Sequence, residues 1–157
     1  MFIVADYHSP DHGQAIISLL NEYASDPMGG GETLGDDVES NLIAALQNTP
    51  NAFTVLGYLN DRPVAIANCF TSLSTFAAKP LINIHDLAVS PSARGQGLSK
   101  QLLAFIADKG RSMGCCKITL EVLSGNTVAR SAYEKFGFEE YRLDESVGAA
   151  LFMQKKL

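Results

Sequence analysis

The sequence predicts an α/β (mixed α+β) fold, a mixed sheet with helices packed against it. Short apolar stretches bounded by turn residues read as strands, and longer segments with apolar residues three and four apart read as helices. Their order is strand, two helices, three strands, helix, strand, helix, two strands. One helix follows its strand through a glycine-rich turn, Arg94-Gly95-Gln96-Gly97.

The first strand is expected over 2–6. Ser9-Pro10 opens a helix, because proline is tolerated in the first helical turn. Ile16, Ile17, Leu19, Leu20 and Tyr23 give that helix a buried stripe. It ends near Asp26-Pro27, since the residue before a proline avoids helical angles. Met28-Gly29-Gly30-Gly31 is a flexible loop. Asp36 or Asp37 caps a second helix reaching Gln47, with Val38, Leu42, Ile43 and Leu46 inward. Strands over 52–59 and 63–72 flank the turn dipeptide Asn60-Asp61 and read as a hairpin. A strand over 81–89 ends at Ser90-Pro91. Residues 98–113 are amphipathic, with Leu98, Leu102, Leu103, Ile106 and Met113 on one face and Gly114 at the C-terminus. A strand over 117–123, a helix over 126–136 closed by Gly137, and strands over 138–142 and 149–155 complete the chain.

At 157 residues the chain is expected to be one domain, 1–157. A core of that size needs neither disulfide nor metal. The net charge of −5 argues against nucleic acid or an anionic membrane as partner. No apolar run approaches the ~18–20 residues of a membrane helix, and the first residues lack a basic-then-apolar leader pattern. Cys69, Cys115 and Cys116 are odd in number and without paired spacing, and read as reduced thiols of a cytoplasmic protein. Cys115 and Cys116 are expected to be small buried apolar residues.

The turn at 91–97 suits an anion. The first N–H groups of a helix lack intrahelical partners, and the helix dipole adds positive charge there. Gly95 and Gly97 let a phosphate approach the backbone, and Arg94 adds a forked donor. The pattern is neither a P-loop nor Gly-x-Gly-x-x-Gly. Alone, it also reads as a tight strand-to-helix turn with a solvated arginine.

The segment resembles the pyrophosphate motif of the GNAT N-acetyltransferase superfamily, Arg/Gln-x-x-Gly-x-Gly/Ala after a strand and a proline-containing turn. Arg94, Gly97 and Ser99 stand at the marked positions, Ser99 in place of Gly or Ala. Ile84-His85-Asp86-Leu87-Ala88-Val89 is similar to the strand that leads into it. A second stretch, Leu120 to Phe138, resembles the family pattern of strand, Asn126, a three-residue step to Ala129, then Tyr133-Glu134-Lys135-Phe136-Gly137-Phe138. The resemblance implies a mostly antiparallel central sheet of about six or seven strands with about four helices, splayed between the fourth and fifth strands. It implies acetyl-CoA as cosubstrate. Arg94, Gly95, Gln96, Gly97, Leu98 and Ser99 would hold the pyrophosphate. The backbone near Leu87 and Val89 would pair with the pantetheine arm.

Acetyl transfer needs an amine that loses its proton, a donor for the thioester oxygen and a proton for the leaving thiolate. Tyr133 can supply the last, and the resemblance places it beside the sulfur. Asn126 either holds pantetheine or water, or caps its helix. Glu121 is the candidate base: it precedes Tyr133 by the spacing seen in the ribosomal-protein alanine acetyltransferases of this family. The other reading is a strand glutamate facing solvent. His85 and Asp86 are rivals, and strand alternation lets only one face the cleft. Asn83, where some family members carry a glutamate base, cannot take a proton.

The loop 26–33 is expected to shape the acceptor pocket, its glycines marking mobility or close approach to a ligand. Asp26, Glu32, Asp36, Asp37 and Glu39 make that side acidic, which suits a small-molecule amine and equally an exposed acidic surface. The reading is therefore an acetyl-CoA-dependent N-acetyltransferase acting by direct attack in a ternary complex, with a homodimer left open. The alternatives are a non-catalytic acetyl-CoA sensor and a binder of another phosphorylated ligand.

Overall fold

The computed structural model describes residues 1–141, 144, 146, 148 and 150–156. Its elements are β1 (Phe2–Val4), α1 (Pro10–Ala24), α2 (Asp36–Gln47), β2 (Ala52–Leu59), β3 (Arg62–Ser74), β4 (Lys79–Val89), a 3-10 turn (Pro91–Ala93), α3 (Leu98–Ser112), β5 (Ile118–Leu120) and α4 (Thr127–Phe136). The sheet runs β1-β2-β3-β4-β5, with the first three pairings antiparallel and β4–β5 parallel. The β2–β3 hairpin turns on Asn60 and Asp61, whose φ of 48° and 60° lie in the left-handed region such two-residue turns require.

The strands separate two cores. Val55, Ala67, Cys69, Ile82 and Ile84 face Leu102, Leu103 and Ile106 of α3. Leu56 and Ile66 point the other way, onto Ile16, Leu19 and Leu20 of α1 and Leu46 of α2. Each such buried aliphatic side chain contributes about 1.5–3 kcal/mol, which is why the alternation along the strands dictates which helix covers which face.

Two features of β4 position the site. Its pairing with β5 covers only Ile82–Ile118, Asn83–Thr119 and Ile84–Leu120, so from His85 to Val89 the two strands part and the sheet splays, as expected. The β3–β4 register also slips between Asn68, opposite Asp86, and Cys69, opposite Ile84, leaving His85 as an extra residue. This bulge corrects the expected alternation. Asp86 bonds Asn68, and His85 meets Asn83 and the Phe70 ring, all on the α1/α2 side of the sheet.

Other expectations shift. Asp36 and Asp37 are first-turn residues of α2, and the N-cap is Gly35 without a side-chain bond. Val38 is exposed, while Leu42 and Ile43 are half-buried. Met113 is the C-cap of α3 rather than part of its buried face. Cys115 packs against the core, but Cys116 is exposed. Among the described residues five strands stand where six or seven were expected. Among the described residues of 138–142 and 149–155 no strand forms, and Arg142 and Ala149 lie outside them. Ala150 N–H reaches the Tyr141 carbonyl at 3.4 Å, but Leu151, Phe152 and Met153 are exposed in succession, so that stretch offers no alternating face to bury. Among the described residues no helix is long and apolar enough to cross a membrane.

Candidate active site

Where β4 and β5 part, a cavity of about 410 Å³ opens between the first turns of α3 and α4. Leu87, Ala88 and Val89 of β4 line it. Ser90 N–H bonds the Val64 carbonyl and the register pairs Ala88 with Ile66. In an antiparallel ladder such bonded residues alternate with ones whose groups face outward. Leu87 and Val89 therefore turn their N–H and C=O groups into the gap that β5 has vacated.

The glycine turn lines the cavity. Gly95 and Gly97 adopt φ of 79° and 74°, and a Cβ at either would meet no atom within 4 Å, so the left-handed backbone rather than space demands glycine. Gly97 is the N-cap of α3 and brings no side-chain cap. The first-turn N–H groups of α3 are thus left for an incoming acceptor, unlike those of α1 and α4, which Ser9 and Asn126 serve. Arg94 stands beside them. Its Nε donates to the Val89 carbonyl at 3.1 Å and its Nη2 to Asp26 at 2.9 Å.

Tyr133 of α4, packed edge-on against Phe138, lines the same cavity. Burial, then the neighbouring Tyr23, push its phenol up to about 12, so it keeps its proton throughout the neutral range. Tyr23 lines the same cavity and is itself raised by burial and by the charges of Asp86 and Asp26. Asn126 lines the cavity and also caps α4, its Oδ1 accepting from Ala129 N–H at 3.1 Å, so the cap half of its reading holds.

Behind β4 runs a buried polar chain. Thr54 Oγ1 donates to Asn68 Oδ1 at 2.6 Å, and Asn68 Nδ2 donates to Asp86 Oδ2 at 3.0 Å. Thr54 has one proton and gives it to Asn68, so the Tyr7 hydroxyl is the donor in its 3.0 Å contact with Thr54. Asp86 is thereby anchored at the bulge. Beside it, Asn83 Nδ2 donates to Thr119 Oγ1 at 2.9 Å, which turns its Oδ1 toward His85 Nδ1. His85 then donates from Nδ1 and leaves Nε2 as acceptor.

Of the site residues named from sequence, Leu87, Val89, Arg94, Gly95, Gly97, Leu98, Ser99, Asn126 and Tyr133 share this cavity. Gln96 does not line it, and Glu121 is exposed and outside it. Asp26 and Met28, from the loop expected to shape the acceptor pocket, line it, while sequence reasoning missed Tyr23. Nothing local marks Tyr23, because it reaches the site only through the packing of α1 on the sheet. Gly29 and Gly31 after Pro27 pack against the end of α1. A Cβ on Gly29 would lie 1.9 Å from the Tyr23 carbonyl, and Gly31 N–H bonds the Ala24 carbonyl. The acidic side is partly consumed as well, Asp26 by Arg94 and Glu39 by Asn21.

The profile of the Acetyltransferase (GNAT) family matches residues 16–138, a span that holds both the glycine turn and Tyr133. The chain belongs to that family. It is 30% identical over 132 residues to YhfO of Bacillus subtilis, an uncharacterised N-acetyltransferase, covering 80% of this chain and 83% of that protein. It is 33% identical over 78 residues to streptothricin acetyltransferase of Streptomyces lavendulae, covering 50% of this chain and 41% of that one. Against YycN, another N-acetyltransferase of Bacillus subtilis, it is 42% identical but spans only 36% of either chain. The fold superposes on the crystal structure of a probable acetyltransferase with a TM-score of 0.81 at 19% identity, covering 99% of both chains. Membership in the GNAT family accounts for the splayed strands and for a cavity that begins on a glycine turn.

Proposed function

We infer that this GNAT chain transfers the acetyl group of acetyl-CoA to the primary amine of a small molecule, by direct attack in a ternary complex. The observation that carries this reading is one cavity lined by an uncapped helix N-terminus, Arg94 and a protonated tyrosine. The residues fit the cosubstrate. The α3 turn and Arg94 suit a pyrophosphate, and the outward groups of Leu87 and Val89 suit the amides of an extended arm, which would add to the sheet as a strand.

The amine nitrogen attacks the thioester carbon, the carbon–sulfur bond breaks, the amine proton passes to a base and the thiolate leaves toward Tyr133. A phenol near 12 is a weaker acid than an ordinary thiol of about 8.5. The contribution of Tyr133 is therefore the hydrogen bond it donates to sulfur as charge develops, with the proton following into solvent equilibrium. Glu121 is the proposed base, acting through water from its exposed position. A second reading assigns the base to His85, favoured by the acceptor left free at Nε2.

The acceptor is read as a small amine because Tyr23 at the end of α1 and Asp26 just beyond it line the cavity, and because one relative is named for acetylating streptothricin. The three free cysteines support a reducing, cytoplasmic setting. The test is an amine-library screen read by release of free thiol from acetyl-CoA. Release with one amine class supports the reading and names the acceptor. Calorimetric binding of acetyl-CoA without release from any amine assigns the chain to cofactor sensing instead.

A further inference from the structure

Acetyl transfer gathers negative charge on two atoms of the thioester, the sulfur and the carbonyl oxygen. Tyr133 serves the sulfur. The outward groups of Leu87 and Val89 suit the amides of the extended arm, which leaves the oxygen in need of a donor of its own.

Tyr23 stands in the last turn of α1 and lines the cavity together with Tyr133. The two arrive from opposite faces of the sheet. The helix α1 covers the face of Leu56 and Ile66, whereas Tyr133 packs against the core under α3. They share one cavity because β5 parts from β4 after Ile84 and leaves a gap beside Leu87–Val89. After burial, Tyr23 is the cause that raises the Tyr133 phenol, a sign of how near the two lie. Burial, then the charges of Asp86 and Asp26, raise the Tyr23 phenol in turn, so it too keeps its proton at neutral pH. The hydroxyl of Tyr7, also half-buried, is occupied by Thr54. Among the described residues no hydrogen bond engages the hydroxyl of Tyr23 or of Tyr133. A half-buried phenol that lines a cavity with its donor unused is completed by an acceptor on a ligand.

We propose that Tyr23 is a further catalytic residue, its hydroxyl donating a hydrogen bond to the carbonyl oxygen of the thioester while Tyr133 donates to the sulfur. The proposal rests on the acetyl-CoA reading. Oxygen and sulfur are bonded to the same carbon, so two phenols arriving from the two faces of the sheet serve one group. As the amine nitrogen bonds to that carbon, the carbonyl π pair moves onto oxygen, and the Tyr23 hydrogen bond strengthens without transfer of its proton. When the carbonyl re-forms, the carbon–sulfur pair leaves on sulfur and the amine proton goes to the base. A donor in place before reaction stabilises charge that water would have to reorganise to meet, and removing such a donor costs about 10²–10³ in rate.

The test is carbon NMR of acetyl-CoA isotopically labelled at the thioester carbonyl, free and bound to the full chain, to Tyr23→Phe and to Tyr133→Phe. The readout needs no acceptor amine. A hydrogen bond to the oxygen draws electrons from the carbon, so the resonance bound to the wild-type chain is expected downfield of the free one. Tyr23→Phe keeps the ring and loses the donor. Most of the downfield shift is expected to vanish there, with affinity for acetyl-CoA weakened by no more than roughly tenfold. Tyr133→Phe is expected to keep the shift. A wild-type resonance at the free position, or a shift that survives in Tyr23→Phe, overturns the assignment while leaving the acetyl-CoA reading intact. So does a shift lost in Tyr133→Phe instead. Complete loss of binding in Tyr23→Phe also overturns it, because one hydrogen bond to a neutral carbonyl does not hold the whole ligand. A wild-type chain that binds no acetyl-CoA overturns the acetyl-CoA reading itself.

Discussion

Asp26 accepts a hydrogen bond from Arg94 Nη2 at 2.9 Å, joining the end of α1 to the anion-binding turn across 68 positions of sequence. The backbone N–H of Met28, followed by Arg94, holds the Asp26 carboxyl below its usual range. A depressed carboxyl stabilises the fold at pH values above the unfolded value of about 3.9 and loses that contribution as pH falls through the folded value. Carboxyl resonances followed by NMR should therefore show Asp26 titrating low. In Arg94→Ala the midpoint should rise but stay below the ordinary value, because the Met28 N–H remains. An unmoved midpoint removes Arg94 from the causes.

The same pair makes a prediction for binding. A carboxylate on the guanidinium competes with a phosphate for it. Asp26→Asn should tighten acetyl-CoA by about two- to fivefold, the range of a partly exposed ion pair, and Arg94→Ala should weaken it. Weaker binding in Asp26→Asn means instead that the carboxylate holds Arg94 in place for the phosphate.

Tyr133→Phe removes the donated hydrogen bond without emptying the packing space against Phe138. Turnover should fall about a hundredfold, while the dissociation constant for acetyl-CoA stays within about twofold. Unchanged turnover would take Tyr133 out of the chemistry.

The base is decided by pH profiles of kcat/KM for Glu121→Gln and His85→Gln with one amine. The variant that abolishes the acidic limb carries the base, and a limb intact in both assigns the proton to the amine's own ionisation in water.

Asn126 caps α4 and lines the cavity, and two substitutions separate those roles. Asn126→Asp keeps a cap acceptor and should keep stability, while Asn126→Ala should cost about 1 kcal/mol in denaturant titration. Equal loss of acetyl-CoA affinity in both variants marks a ligand contact made by the amide nitrogen.

Much of the fold is legible locally. The Asn60-Asp61 hairpin, the helix after Gly97 and the Asn126 cap each depend on the backbone preferences of a few neighbouring residues. For the same reason nine of the eleven site residues named from sequence line one cavity. The two left outside it, Gln96 and Glu121, depend on where a turn and a short strand point in three dimensions.

What the sequence by itself determined is the order of elements from β1 to α4, the two-faced strands and the motif pair that marks a GNAT chain, because periodicity and turn chemistry act over a few residues. The tertiary structure alone decided the rest. The slip at His85, which turns that residue and Asp86 to one side, follows from how β3 and β4 align over their whole length. The Asp26–Arg94 pair and the Tyr23 wall follow from the docking of α1. The meeting of Tyr23 and Tyr133 follows from the packing of α1 and α4 on opposite faces of one sheet. Contacts of that kind depend on long-range packing, which leaves no periodic trace in the chain.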